Sequence, residues 1–254
     1  GEDTLRSSSV SALLTRFRKS SENSLDASLP KVGSPVTVYG YSGNALGPSA
    51  SSGVITCLGP IPYKHGLTSA LGMGTNAPVI KGWSGGPALS GSGSVVGLVM
   101  QSGHSEPATS FLVPSMLVDR FFRDIAASPS GTYRGLTSLG ISCQRLDNPA
   151  LRAACGVGSH GSGILVCNVD TLGAAGLAEV RRGDVLLAID GVPVANDGTM
   201  DLGLGLRLPF AQAVHLGLVG DTVELSMLRR GREKRAAVQL STHRRIVALH
   251  RHDL

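Results

Sequence analysis

Gly82-Trp-Ser-Gly-Gly-Pro87 is the segment of this chain whose residue types and spacing suit covalent chemistry. A serine hydroxyl becomes a useful nucleophile when a tight turn presents it and backbone N–H groups converge on the point where an oxyanion will form. Small neighbours permit such a turn. On this reading Ser84 is the nucleophile, and the amides of Gly82 and Ser84 form the oxyanion hole. Gly85 and Gly86 leave room for backbone to approach a substrate. The bland alternative is a plain serine- and glycine-rich turn, and with 34 glycines in the chain such turns are common. Acyl transfer also needs a base, because a serine hydroxyl at its ordinary acidity is a poor nucleophile. His65 and His104 can be nominated, but His104 lies in a Gly/Ser-rich loop without a carboxylate at a suggestive spacing, and neither is expected to serve.

Other constellations point away from rival chemistries. Cys57, Cys143, Cys155 and Cys167 are far apart and form no CxxC pair, so neither a zinc site nor a disulfide framework is indicated, and buried free thiols are expected. His243, His250 and His252 resemble a metal set only superficially, since Arg244, Arg245 and Arg251 repel a cation and no cysteine joins them. No metal or cofactor is expected. The net charge of +5 is concentrated toward the C-terminus with no aromatics interleaved for base stacking, which favours a solvated basic tail over a nucleic-acid partner. Charge or glycine interrupts every apolar run before it reaches the roughly 20 residues that span a bilayer. The first residue is Gly1, which suggests a processed or fragmentary start. The Ser/Arg-rich opening has transit-peptide texture, against which stand Glu2, Asp3, Glu22 and Asp26.

The elements that must position Ser84 are short strands. A chain of 254 residues with 42% hydrophobic content can bury one large or two ordinary cores, and its 34 Gly, 13 Pro and 4% aromatics favour β structure joined by tight turns. Residues 1–28 are polar and read as a mobile segment, with a short helix over 10–17. Strands are expected over 36–40, 52–57, 94–100 and 111–114. A helix over 115–125 follows, with Met116, Leu117, Phe121 and Ile125 on its apolar side and charges elsewhere. These make a β domain over 29–126. The breaker-rich residues 126–131 open a linker placed at 127–137. A second domain over 138–241 carries strands at 139–144, 164–169 and 183–191. It also carries a helix over 148–154 capped by Asn148, a small-residue turn at 172–177 and a helix over 210–218. A hairpin turning at Arg230-Gly231 closes it, and residues 242–254 form a basic tail.

Order along the chain then matters. Tyr39-Gly-Tyr41, Ser52-Gly-Val-Ile55, Tyr63-Lys-His-Gly66, the Ser84 loop, Val96-Gly-Leu-Val-Met-Gln-Ser102 and Phe111-Leu-Val-Pro114 follow the sequence order of the HtrA/Deg serine proteases, whose plant and algal branch the chain resembles. That resemblance implies the second β-barrel of a trypsin-like fold. The first barrel, which normally supplies the histidine and aspartate, has no counterpart here, so the chain as given is expected to be inactive. In this branch His65 matches a position outside the triad. Relatives usually carry asparagine at Trp83 and aspartate at Asn76, and a bulky indole at Trp83 could reshape the oxyanion loop. Leu98, Val99 and Met100 would line an apolar specificity pocket, or serve only as core.

Leu139-Gly-Ile141, Gly183-Asp-Val-Leu186, Ile189-Asp-Gly191 and Gly220-Asp-Thr-Val223 resemble the family's PDZ domain. There Leu139, Gly140 and Ile141 would receive a peptide C-terminus, and Phe210 and Val214 would wall the groove or be plain core. The implied function is ATP-independent endopeptidase activity in protein quality control, acting on unfolded or damaged proteins and peptides. The alternative is a pseudo-protease that binds peptides, or a scaffold joining oligomers of itself or of full-length relatives. Plastid, mitochondrial and nuclear locations all occur in this branch.

Overall fold

The computed structural model describes residues 29–41, 46–63, 68–102, 110–158, 161–201 and 207–242. They divide into two compact units: unit 1 takes residues 1–61 and 71–119, unit 2 takes 62–70 and 120–254. The expected mobile segment at 1–28, the helix over 10–17, His65, His104 and the tail beyond Thr242 lie outside the described residues.

Unit 1 is built on β1 (Pro35–Gly40), β2 (Ser49–Tyr63), β3 (Thr68–Thr75), β4 (Pro87–Ser90), β5 (Val95–Ser102) and β6 (Ser110–Pro114), closed in the order β1-β2-β3-β6-β5-β4, the last residues of β2 and the first of β3 being those counted with unit 2. Closure comes from β1, which pairs antiparallel with β2 on one side and β4 on the other. Alternation along β1 sends Val36 and Val38 into the barrel, where they meet Ile55, Met73, Ala88, Val96, Val99 and Leu112. Thr37 faces outward and shares a hydrogen bond of 2.9 Å with Ser52.

Helix α1 (Ser115–Ala127) follows β6 directly, with the Ser115 hydroxyl donating to the Val95 carbonyl at 2.6 Å. Its buried side departs from the expected stripe: Leu117 is buried, but so are Arg120 and Asp124. Two charges can be buried because each is answered. Arg120 donates to the carbonyls of Gly217 and Gly135 and to the Tyr133 hydroxyl. Asp124 accepts from the amide and the guanidinium of Arg134, the latter at 2.7 Å. Residues 133–135, within the expected linker, are thereby held to α1.

Unit 2 runs β7 (Thr137–Ser138), β8 (Ile141–Arg145), α2 (Pro149–Ala154), β9 (Ile164–Val169), α3 (Ala174–Leu177), β10 (Val185–Ile189), β11 (Val192–Pro193), β12 (Thr199–Asp201), β13 (Arg207–Pro209), α4 (Phe210–Val214), β14 (Thr222–Arg229), β15 (Arg232–Gln239) and β16 (Ser241–Thr242). The main sheet is ordered β15-β14-β10-β9-β8, so β8 and β15 are its edges. β7 pairs with β16, so the first and last of these strands meet. Asn148 caps α2 as its sequence indicates, its side-chain oxygen accepting from Ala150 at 2.8 Å. The turn expected at 172–177 holds the one-turn helix α3, whose Ala174 and Ala175 pack tightly into the core. The 210–218 helix is shorter than expected and ends at Val214. Arg230 and Gly231 both have positive φ, the conformation that a two-residue hairpin turn requires.

Candidate active site

The Ser84 loop joins β3 to β4 and is made of two successive turns: the Trp83 amide donates to Ile80 at 3.2 Å and the Gly86 amide to Trp83 at 2.9 Å. Two bonds clamp it to β5, from the Gly85 amide to the Val99 carbonyl and from the Val99 amide to the Gly86 carbonyl, both 2.8 Å. Glycine is required by the geometry. Gly85 has φ +86° and Gly82 φ +101°, while a Cβ at Gly86 would collide with the Tyr39 carbonyl oxygen of β1.

Within this frame Ser84 is exposed, and its hydroxyl donates to the Met100 carbonyl at 3.2 Å. The amides of Gly82 and Ser84 donate to no backbone carbonyl among the described residues, which leaves them available to a ligand oxygen. A hydroxyl held to a carbonyl is oriented but not activated, because an amide oxygen does not take up the proton. The side chain of Trp83 does not stand in the loop: it is 4% exposed, packs on Gly40, whose missing Cβ makes the space, and belongs to the barrel core. Its indole N–H is buried there without a partner among the described residues.

Asn76, four residues before the first of these turns, has a structural task. Its side-chain oxygen accepts from the Val54 amide at 2.7 Å, fixing the end of β3 to β2, and an aspartate could accept the same bond. Val99 points its side chain into the core and serves the loop through its backbone, whereas Leu98 and Met100 lie on the opposite, half-buried face of β5. Neither the Met100 carbonyl nor the Val99 clamp was identified from sequence, since backbone groups leave no residue-type signature. Tyr41, whose carbonyl borders Gly82, and Ile80 are exposed apolar residues beside the loop, at 63% and 50%.

In unit 2 the residues expected to meet a peptide come together. Gly140 has φ +72°, and its amide donates to the Ser138 hydroxyl at 3.0 Å; the carbonyls of Leu139 and Gly140 accept from Ala175 and Asp170. Leu139 and Val214 are buried in one cluster, with Ile141 and Phe210 packed against it half-buried. Ile141 opens β8, whose outer side is a sheet edge unpaired among the described residues. A cavity of about 400 Å³ lies on the α4 side of this core, lined by Met200, Ala213, Val214, Val223 and Leu240 among others. Burial, together with the charge of Arg120, lowers the pKa of the neighbouring His215 to about 4, and its Nδ1 has no partner among the described residues.

Among the described residues no three His, Cys, Asp or Glu side chains gather as a metal would need. No helix among them is long and apolar enough to cross a membrane. The four cysteines are free, but Cys57 is exposed and the other three half-buried, which corrects the expectation of buried thiols. Cys57 follows Ile55 by two positions, yet it escapes the barrel interior because β2 loses strict alternation at Thr56-Cys57, where both residues are exposed.

No family model matches the chain. It is 30% identical over 224 residues to the chloroplastic Protease Do-like 2 of Arabidopsis thaliana, covering 87% of this chain and 36% of that protein. It is 29% identical to the mitochondrial Protease Do-like 4 of the same plant, covering 89% and 43%. A serine protease DegP homolog of Plasmodium falciparum is 33% identical over 129 residues. The chain thus spans roughly two fifths of the Arabidopsis relatives. Among solved structures, the HtrA-type protease AlgW with a decapeptide aligns at TM-score 0.59 and 22% identity, covering 86% of this chain and 64% of that one. AlgW with a tripeptide aligns at 0.60 and 21%, covering 84% and 68%. At these identities the likeness is one of fold.

Proposed function

Because this chain belongs to the Deg/HtrA family of serine proteases, we propose that residues 29–126 are the nucleophile-bearing barrel of an endopeptidase that cleaves unfolded or damaged proteins. Residues 138–241 are then a peptide-binding PDZ domain reached through residues 127–137. The observation that carries this reading is the Ser84 loop: an exposed hydroxyl beside two amides with no backbone acceptor, on a turn clamped to β5. Ser84 Oγ would attack the scissile carbonyl carbon, and the oxygen that gains the charge would sit between the amides of Gly82 and Ser84. Leu98 and Met100 flank the site where a small or medium aliphatic side chain would enter.

The proton of Ser84 has to leave for a base, and the Met100 carbonyl is not one. On this reading the base is a histidine from a partnering barrel, as the family resemblance implies, and that barrel would also cover the exposed Tyr41 and Ile80. Fluorophosphonate labelling tests this assignment on the chain, on its Ser84→Ala variant and on a version extended upstream. Labelling of the extended version alone, lost on Ser84→Ala, is the expected result. Labelling that persists in Ser84→Ala refutes the assignment of the nucleophile.

A second reading has its own support in the hydroxyl already engaged by Met100 and in the free edge of β8. On it the chain is a pseudo-protease that captures peptide C-termini at Leu139, Gly140 and Ile141, against a wall formed by Phe210 and Val214. Peptides with a free C-terminus would then bind, C-terminally amidated ones would not, and the extended version would remain unlabelled. Association with itself or with full-length relatives fits either reading, and co-purification measures it.

A further inference from the structure

The excess of cations toward the C-terminus does not all belong to the tail. Arg229, Arg230, Arg232, Lys234 and Arg235 lie on the β14–β15 hairpin, and β15 is a sheet edge. Register sets Arg229 opposite Arg232 and Met227 opposite Lys234. Leu225 and Met227 face the core together with Ala236 and Val238, so Arg232 and Lys234 leave the sheet on that same face, beyond the core's end.

Helix α3 packs against β15 on this face, and the turn after it brings Arg181 and Arg182, both exposed. The Arg229 guanidinium ties that turn down, donating to the Glu179 carbonyl at 2.8 Å and to both carboxylate oxygens of Asp184 at 2.7 Å. Arg229 is thus neutralised. Arg181, Arg182, Arg230, Arg232 and Lys234 are exposed and have no ion pair among the described residues. Acidic side chains here are Glu179, Asp184, which is paired with Arg229, and Asp170, which accepts from the Leu172 amide at 3.0 Å, while Glu233 alternates to the opposite face of β15.

Two exposed leucines flank the short helix α3. Leu172 is 60% exposed just before α3, and Leu177, the last residue of α3, is 74% exposed. Cations on an edge strand can serve only to discourage strand pairing, but that role needs no exposed leucine on the neighbouring element. Neither 171–184 nor 226–235 contains an aromatic residue on which a nucleic-acid base could stack. An anionic bilayer satisfies both features: guanidinium groups pair with lipid phosphates, and leucines enter the boundary between headgroups and acyl chains.

We propose that this face of unit 2, formed by α3, the Arg181-Arg182 turn and the β14–β15 hairpin, docks on the anionic lipid surface of a membrane. Flotation of the full chain with phosphatidylcholine vesicles, with and without phosphatidylglycerol, tests it. Binding is expected only to the vesicles with phosphatidylglycerol, weakening as salt is raised. Combining Arg230→Gln, Arg232→Gln and Lys234→Gln should lower the partition on the order of 100-fold, from about a fivefold contribution per cation near the surface. Leu172→Ser with Leu177→Ser should lower it roughly tenfold while keeping the salt dependence. All five side chains are exposed, so an unchanged melting temperature verifies the fold of each variant. Equal partition to both vesicle types, no partition at all, or leucine variants that bind like the parent would each overturn the proposal. Binding of a duplex oligonucleotide without binding to vesicles would overturn it in favour of a nucleic acid.

Discussion

Ser84 owes its position to backbone contacts more than to its own side chain, so the sensitive residues around it are the ones that permit close approach. Gly86→Ala would drive a methyl group into the Tyr39 carbonyl and is expected to destabilise unit 1 by about 3 kcal/mol, read by chemical denaturation. Gly82→Ala has more room but keeps the unfavourable φ of +101°, and is expected to cost roughly 1–2 kcal/mol. His215 makes a prediction about pH. Burial and the Arg120 charge lower its pKa to about 4, so in acid the unfolded chain takes up a proton that the folded chain refuses. Its contribution is neutral above the ordinary histidine pKa of about 6.5, and stability falls by roughly 2–3 kcal/mol as pH drops from there to about 4. Melting temperatures across that window should decline less steeply in His215→Gln. A parallel decline would refute the assignment.

Elements in this chain are held at their ends by charges that a hydropathy pattern misplaces. On α1 the buried side includes Arg120 and Asp124, which a helical stripe assigns to solvent. Asp184 is likewise buried, beside Arg229 of β14, with the two side chains 2% and 26% exposed. Removing the arginine strands the carboxylate, so Arg229→Met should destabilise unit 2 by about 3 kcal/mol in denaturant titration. Burial opposes ionisation of Asp184 and of Asp124. In each case bonds from an arginine side chain and a backbone amide outweigh it and hold the carboxyl below its usual range. Depressed carboxylate values give stability that is complete above the unfolded pKa near 4 and is lost as pH falls through the folded values. The acid limb below about pH 4 therefore belongs to these aspartates, and the limb above it to His215. Capping is a smaller effect: Asn148→Ala should cost about 1 kcal/mol.

At the scale of the molecule the two larger cores of the described residues lie inside the six-stranded barrel and between the sheet of unit 2 and its short helices, with a smaller cluster around Leu146, Val157 and Val185 in unit 2. Each can be weakened separately. Leu112→Ala in the barrel and Leu225→Ala in the sheet both remove a fully buried side chain, and each should cost about 2–5 kcal/mol in its own unit. Hydrogen exchange resolved by segment would assign each loss. Equal loss of protection in both units from either substitution would contradict the division. Part of the cationic excess also has a location at this scale, since Arg181, Arg182, Arg230, Arg232 and Lys234 are exposed in unit 2 without an ion pair among the described residues.

Alternation and turn chemistry were enough to read the class of the fold, most of the strands, the helix after β6, the Asn148 cap and the Arg230-Gly231 turn. Each of these is set by neighbours in sequence, through side-chain periodicity or local backbone preference. The Gly82–Pro87 segment was legible for the same reason, because a tight turn around an exposed hydroxyl demands small residues in a row. Long-range contacts were not legible. The acceptor of the Ser84 hydroxyl, the core position of Trp83 against Gly40, the burial of Arg120, Asp124 and Asp184, and the separation of Leu98 and Met100 from Val99 depend on which distant backbone or charge arrives beside each group. Closing the barrel and pairing the strands decided those meetings, and no pattern within a single segment encodes them.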